Sequence, residues 1–118
     1  MIAEIAIKNL RLRTIIGLNP SEREKKQDII INIKMKFDAT QAISSDDINN
    51  SINYKAIKKE VITHVESSSY QLLETLASSI IDIMMHHQSI TFSYVEIDKP
   101  HALRFADSVS VSMIAERD

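Results

Sequence analysis

QDIIINIKMKFD, residues 27–38, alternates along its whole length: Ile29, Ile31, Ile33, Met35 and Phe37 fall on one parity, and Asn32, Lys34 and Lys36 on the other. Side chains of an extended chain point to opposite faces in turn, so this stretch predicts a strand with one face in a core and the other in water. Upstream, residues 2–16 read as a second strand, but Ile5 and Ile7 lie on one parity and Leu10 and Leu12 on the other. A bulge near Lys8-Asn9 restores the phase. Gly17 to Lys26, with the turn signal Asn19-Pro20, reads as a polar connection between the two strands.

Downstream the period changes. From Ala39 to Asn53 Ser, Asp and Asn accumulate without hydrophobic repeat, as in a loop. Tyr54, Ile57, Val61 and Val65 then recur at helical spacing, as do Leu73, Leu76, Ile80 and Met84 after the serines at 67–69. A third strand is expected over about residues 90–99 and a fourth over about 107–115, where Val109, Val111 and Met113 alternate with Ser108, Ser110 and Ser112. The order ββααββ suits an α+β domain in which two helices cover one face of a four-stranded antiparallel sheet. The other face, with Lys34, Lys36 and the alternating serines, is then wet. Sheet edges left open need cover or a partner strand, so edge-to-edge assembly into a ring with a polar lumen is expected, water alone being the alternative.

A length of 118 residues, 44% of them hydrophobic, fits a single domain over 1–118 with its own core. The chain has no cysteine, which excludes thiolate metal sites and disulfides, and no apolar run long enough to cross a bilayer. The alternating, charged start does not read as a signal segment, so a cytoplasmic protein is expected. A net charge of -2 offers no global field for nucleic acid. With one glycine in the chain, Gly17, neither a GxGxxG nor a P-loop motif exists. His86 and His87 diverge on their helix, and His64 has no ligand-spaced neighbour, so no metal site is expected.

Residues 96–110, EIDKPHALRFADSVS, place Lys99 where a strand hands over to a proline-started loop. A fixed backbone followed by a mobile cover suits a reactive amine; a solvated strand-end lysine is the plainer alternative. The chain also resembles the dihydroneopterin aldolase and dihydroneopterin triphosphate 2'-epimerase family nearly end to end. The resemblance rests on LRLRTIIG (10–17), Glu22 and Gln27, DDIN and INY (46–54), HVE (64–66), LLE (72–74) and EIDKPHALRFADSVS. LRLRT and HALRFADSVS are similar to the epimerase branch, whereas aldolases usually carry glycine where this chain has His101.

The resemblance implies a tunnelling fold (T-fold), tetrameric barrels stacked as octamers, sites at subunit boundaries, a small pterin substrate, and neither cofactor nor metal. It implies Lys99 as the catalytic lysine, with its basicity to be tuned by burial or a nearby cation. Glu74, beside Leu73, is implied as the pterin anchor through paired hydrogen bonds. Tyr54 is implied as a residue that packs on the pterin ring and moves a proton, contributed from a neighbouring subunit, and Glu22 as an acid orienting the substrate or the lysine. Read from the sequence alone, Glu74 could be a first-turn helix acid, Tyr54 a core tyrosine and Glu22 a solvated one. Lys25, Lys26, His101 and Arg104 are candidates to hold a triphosphate tail, or ordinary surface charge. Epimerisation is the expected activity, with aldol cleavage as the second reading and a non-catalytic pterin-binding ring as the third.

Overall fold

The computed structural model describes all 118 residues. Four strands, β1 (Ile2–Thr14), β2 (Gln27–Asp38), β3 (Phe92–Pro100) and β4 (Ser108–Glu116), form one antiparallel sheet in the order β1-β2-β3-β4. β2 lies inside the sheet, and its alternating apolar side chains are the centre of the core: Ile29, Ile31, Ile33 and Met35 have no exposed surface. β1 and β4 are the two edges.

The phase break in β1 is a bulge. Register with β2 shifts between Ile7 and Leu10, which lets Ile5, Ile7, Leu10 and Leu12 all face the core. Asn9 takes the left-handed conformation (φ 54), and its backbone N–H donates to Asn32 Oδ1 on β2 at 2.9 Å. Asparagine tolerates that conformation, so side chain and backbone agree on where the extra residue sits.

Two long helices cover the core face, α3 (Tyr54–Ser67) and α4 (Leu73–Met85). Ile57, Val61 and Val65 of α3 and Leu76, Ile80 and Met84 of α4 are buried against the sheet, as the helical spacing of the sequence requires. Asn53 caps α3 by accepting from the Ala56 N–H at 3.1 Å. The connections are more structured than expected from sequence. A five-residue helix, α1 (Pro20–Glu24), occupies the link between β1 and β2, and α2 (Thr40–Ser45) with a 3₁₀ turn (Ile48–Asn50) fills the stretch read as loop. These segments are too short to show a hydrophobic period, which is why the pattern of apolar residues misses them.

The open face of the sheet is less polar than its lysines and serines suggest. Phe92 and Tyr94 lie on it, each under a lysine: Lys36 Nζ is 4.5 Å from the Phe92 ring centre and Lys34 Nζ is 5.3 Å from that of Tyr94. Burial and the carboxylate of Glu96 push the Tyr94 phenol pKa upward. No helix is long and apolar enough to cross a membrane.

Candidate active site

At the end of the sheet where β1 stops, β2 begins and β3 turns out, Arg23, Gln27, Thr14 and Lys99 form a set of side-chain hydrogen bonds. Lys99 pairs with Val109 of β4 and lies in phase with Val95 and Ile97, so its side chain enters the helix-covered side instead of the open face. There it forms an ion pair with Glu22 Oε2, and the two side chains are only 12% and 20% exposed.

α1 presents Glu22. Asn19 precedes it, Pro20 starts it without a wasted N–H, and the Asn19 N–H donates to Glu22 Oε1 at 3.2 Å. Gln27, the first residue of β2, donates from Nε2 to Glu22 Oε2 at 3.2 Å and to the Ile16 carbonyl at 2.7 Å. The Lys99 ammonium, then the Asn19 and Gln27 donors, outweigh burial and hold the Glu22 carboxyl down at about 2. Glu22 is therefore ionised across the neutral range. The sequence reading allowed for a cation near Lys99; its neighbour is instead a carboxylate.

Arg23, which looks in sequence like one more charge in a solvated run, is the tie of this corner. Its guanidinium donates to the carbonyls of Gly17 (3.1 Å), Tyr70 (3.0 Å) and Ser69 (2.5 Å), and the Gly17 N–H donates to the Tyr70 carbonyl at 3.4 Å. Thr14, fully buried, adds a bond from its hydroxyl to the Val65 carbonyl at 2.7 Å. The segment between α3 and α4 is thereby fixed to the turn that carries Glu22. His64 takes part structurally, with Nε2 3.0 Å from the Tyr70 hydroxyl. Gly17 and His64 were named from sequence, His64 as structural or solvated, but Arg23 was not singled out; an arginine that bonds to three carbonyls leaves no periodic trace.

That segment leads into α4, whose exposed first-turn acid is Glu74, next to half-buried Leu73. The other end of α4 is pinned near the start of β3, with the Ser93 hydroxyl 3.0 Å from Met85 Sδ and the Met85 carbonyl accepting from Arg117 at 2.6 Å. Tyr70, four residues ahead of Glu74, is bonded through its carbonyl to Arg23 and Gly17, so α4 starts beside the turn that carries Glu22.

Tyr54 does not join this group within one chain. The C-terminal end of α3 is held at Thr14, and Tyr54 begins that helix eleven residues before Val65, about 16 Å away along the axis. It is 49% exposed, not a core residue. His101 and Arg104 lie in the exposed turn after β3; the Arg104 guanidinium is 5.5 Å from the centre of the Phe105 ring. Lys25 and Lys26 are exposed between α1 and β2.

Residues 5–114 match the family model described as Dihydroneopterin aldolase. The chain belongs to the dihydroneopterin aldolase family. Among its relatives, the dihydroneopterin triphosphate 2'-epimerase of Escherichia coli (strain K12) is 47% identical over 115 residues, covering 98% of this chain and 96% of that protein. The enzyme of the same name from Pseudomonas aeruginosa is 43% identical over 98% of this chain and 94% of its own length. Among solved structures, E. coli dihydroneopterin aldolase in complex with neopterin superimposes with a TM-score of 0.90 at 26% identity, over 96% of this chain and 98% of that one. Within this family fold, the four-stranded antiparallel sheet with helices on one face places Lys99, Glu22 and Gln27 at one sheet end.

Proposed function

We propose that this chain is a dihydroneopterin triphosphate 2'-epimerase, giving dihydromonapterin triphosphate, with Lys99 as its catalytic lysine, Glu22 as the lysine's partner and Glu74 as the pterin anchor. The observation that carries the reading is the shielded Lys99–Glu22 pair, braced by Gln27, in a chain 47% identical to a protein of that name.

The chemistry needs a proton removed from the 2'-hydroxyl and a place for the electrons released when the bond between carbons 1' and 2' breaks. The dihydropterin C=N bond is that place, its nitrogen taking up a proton as the pair arrives. No external oxidant or reductant is involved. Substrate hydroxyls that enter the site take over the role of partner to Glu22, and Lys99, once its ammonium has released a proton to water, receives the 2'-hydroxyl proton through water, so that the pair forms a relay. Glu74 accepts two parallel N–H bonds from the pterin edge, which fixes the ring relative to the amine. Re-addition re-forms the bond between carbons 1' and 2' with the pair held by the pterin, whose nitrogen gives up its proton, while the aldehyde oxygen takes back the proton held by Lys99; attack on the opposite face of the retained aldehyde leaves carbon 2' inverted.

The position of Tyr54, remote from Lys99 of its own chain, supports a site completed by Tyr54 of a neighbouring copy, with Leu73, His101 and Arg104 also available to the ligand. Tetrameric rings stacked as octamers, in the cytoplasm, are the assembly and compartment that go with this reading.

Aldol cleavage to hydroxymethyl-dihydropterin is the second reading, favoured by the close superposition on an aldolase. The presence of Glu22, Tyr54, Glu74 and Lys99 argues against a merely pterin-binding ring. Offering dihydroneopterin triphosphate and dihydroneopterin separately, and resolving the products by chromatography, tests the reading. The 2'-epimer is the expected main product from the triphosphate. Hydroxymethyl-dihydropterin in its place means an aldolase, and no conversion of either compound means a binding protein.

A further inference from the structure

We propose that Arg11, Arg13 and His101 form a subsite for a polyphosphate chain on the open side of the sheet end, just beyond Lys99; this rests on the reading that the substrate carries a triphosphate. A cavity of about 460 Å³ lies there, lined by Arg11, Arg13, Asp28, Ile30, Pro100 and His101 among others. It falls within the range of roughly 300–1,000 Å³ typical of small-molecule sites. The other two cavities are lined by Asp38 in one case and by Asp46 and Asp47 in the other, with no lysine, arginine or histidine in either. Only the first suits an anion.

Its geometry follows from the strands. Arg11 and Arg13 are two apart on β1, hence on one face, opposite Ile30 and Asp28 of β2. The charge of Asp28 is already met, because Arg13 Nε lies 3.2 Å from its Oδ1 while Arg13 Nη2 donates to the Lys26 carbonyl at 3.1 Å. Arg13 therefore has a carboxylate partner, and Arg11 has none. Asp98, on the same face of β3, does not line the cavity and accepts from the Ser108 hydroxyl at 2.9 Å. Among the lining residues, the positive charge left without a carboxylate partner is that of Arg11. Guanidinium groups match phosphate oxygens as forks, which suits them to a chain of phosphates better than two lysine point charges.

The cavity also begins where a tail would leave the reacting carbon. Pro100 and His101 directly follow Lys99, and His101 takes the left-handed conformation (φ 60), turning the chain at the rim. Lys99 faces the helix-covered side and Arg11 the open one, so a substrate with its side chain at Lys99 turns round the sheet end, past Pro100 and His101, to bring its phosphates to Arg11. Lys25, Lys26 and Arg104 do not line this cavity. Retention of the phosphorylated aldehyde by Arg11 keeps it beside the pterin fragment, which favours re-addition over escape.

Inorganic tripolyphosphate, titrated calorimetrically into the intact protein, tests the subsite without any turnover. The expected result is binding that weakens at least tenfold in Arg11→Ala, recovers in part in Arg11→Lys, and is unaffected by the paired Lys25→Ala, Lys26→Ala change. His101→Ala, in an exposed turn, supplies a second variant and is expected to weaken binding as well. Absence of tripolyphosphate binding to the unmodified protein, equal binding to Arg11→Ala, or loss only in the lysine pair would each overturn the proposal. The product analysis fails or succeeds independently: a protein that binds tripolyphosphate through Arg11 but does not epimerise keeps the subsite and loses the activity.

Discussion

Gly17 and Glu22 compete for one space: a Cβ added to Gly17 would overlap the Glu22 carboxylate, and the glycine's φ of +126° is closed to ordinary side chains. The only glycine of the chain is thus needed twice, for its backbone and for the room it leaves.

Gly17→Ala is expected to displace the carboxylate and strain the turn together. The melting curve should report a loss of about 1–3 kcal/mol, the usual range for a residue forced into such a conformation. Turnover should fall at least tenfold. A variant with unaltered melting and activity would show that the carboxylate has room to move.

Glu22→Gln isolates the ion pair through its pH dependence. The folded carboxyl is held at about 2 against an ordinary value of 4.5, so its contribution to stability is fully present above pH 4.5 and is lost as the pH falls through 2. Acid unfolding of the unmodified protein should therefore steepen across that window relative to Glu22→Gln, while near neutral pH the variant should be the less stable. Parallel stability profiles from pH 5 down to 2 would contradict the pairing.

Arg23 joins the Glu22 turn to the segment ahead of Glu74, through the carbonyls of Gly17, Ser69 and Tyr70. Arg23→Ala should raise amide exchange at Gly17, whose N–H is bonded to Tyr70, and lower turnover, with partial rescue by added guanidinium at non-denaturing concentration. Unchanged exchange at that amide would mean that the arginine ties nothing down.

Tyr54 and Lys99 lie at opposite ends of the helical layer, which gives a test by mixing. Tyr54→Ala and Lys99→Ala proteins, each feeble alone, should regain activity when unfolded together and refolded, because some shared sites then receive both native residues. No recovery in a refolded mixture of native size would place the whole site in one chain.

The sheet was legible because β2 alternates without interruption and the break in β1 falls at Lys8-Asn9, where Asn9 turns left-handed. The helices α3 and α4 were legible from Ile57, Val61, Leu76 and Ile80. The site was readable only as residue types: Lys99 at a strand end and Glu22 in a polar link. Their meeting depends on α1, which is five residues long and carries no apolar repeat, although Asn19-Pro20-Ser21-Glu22 spells a helix start. The roles of Arg23 and Thr14 were not legible, because both work on backbone carbonyls distant in sequence, and Arg11 and Arg13 entered the reading only as part of the LRLRT resemblance.

Lys99→Ala, assayed with dihydroneopterin triphosphate and matched by a melting curve, bears most directly on the central claim that this amine moves the substrate proton. With the fold retained, the expected loss in turnover is about 10²–10⁴-fold, the contribution of a positioned acid–base group. Turnover within twofold of the unmodified protein would contradict it.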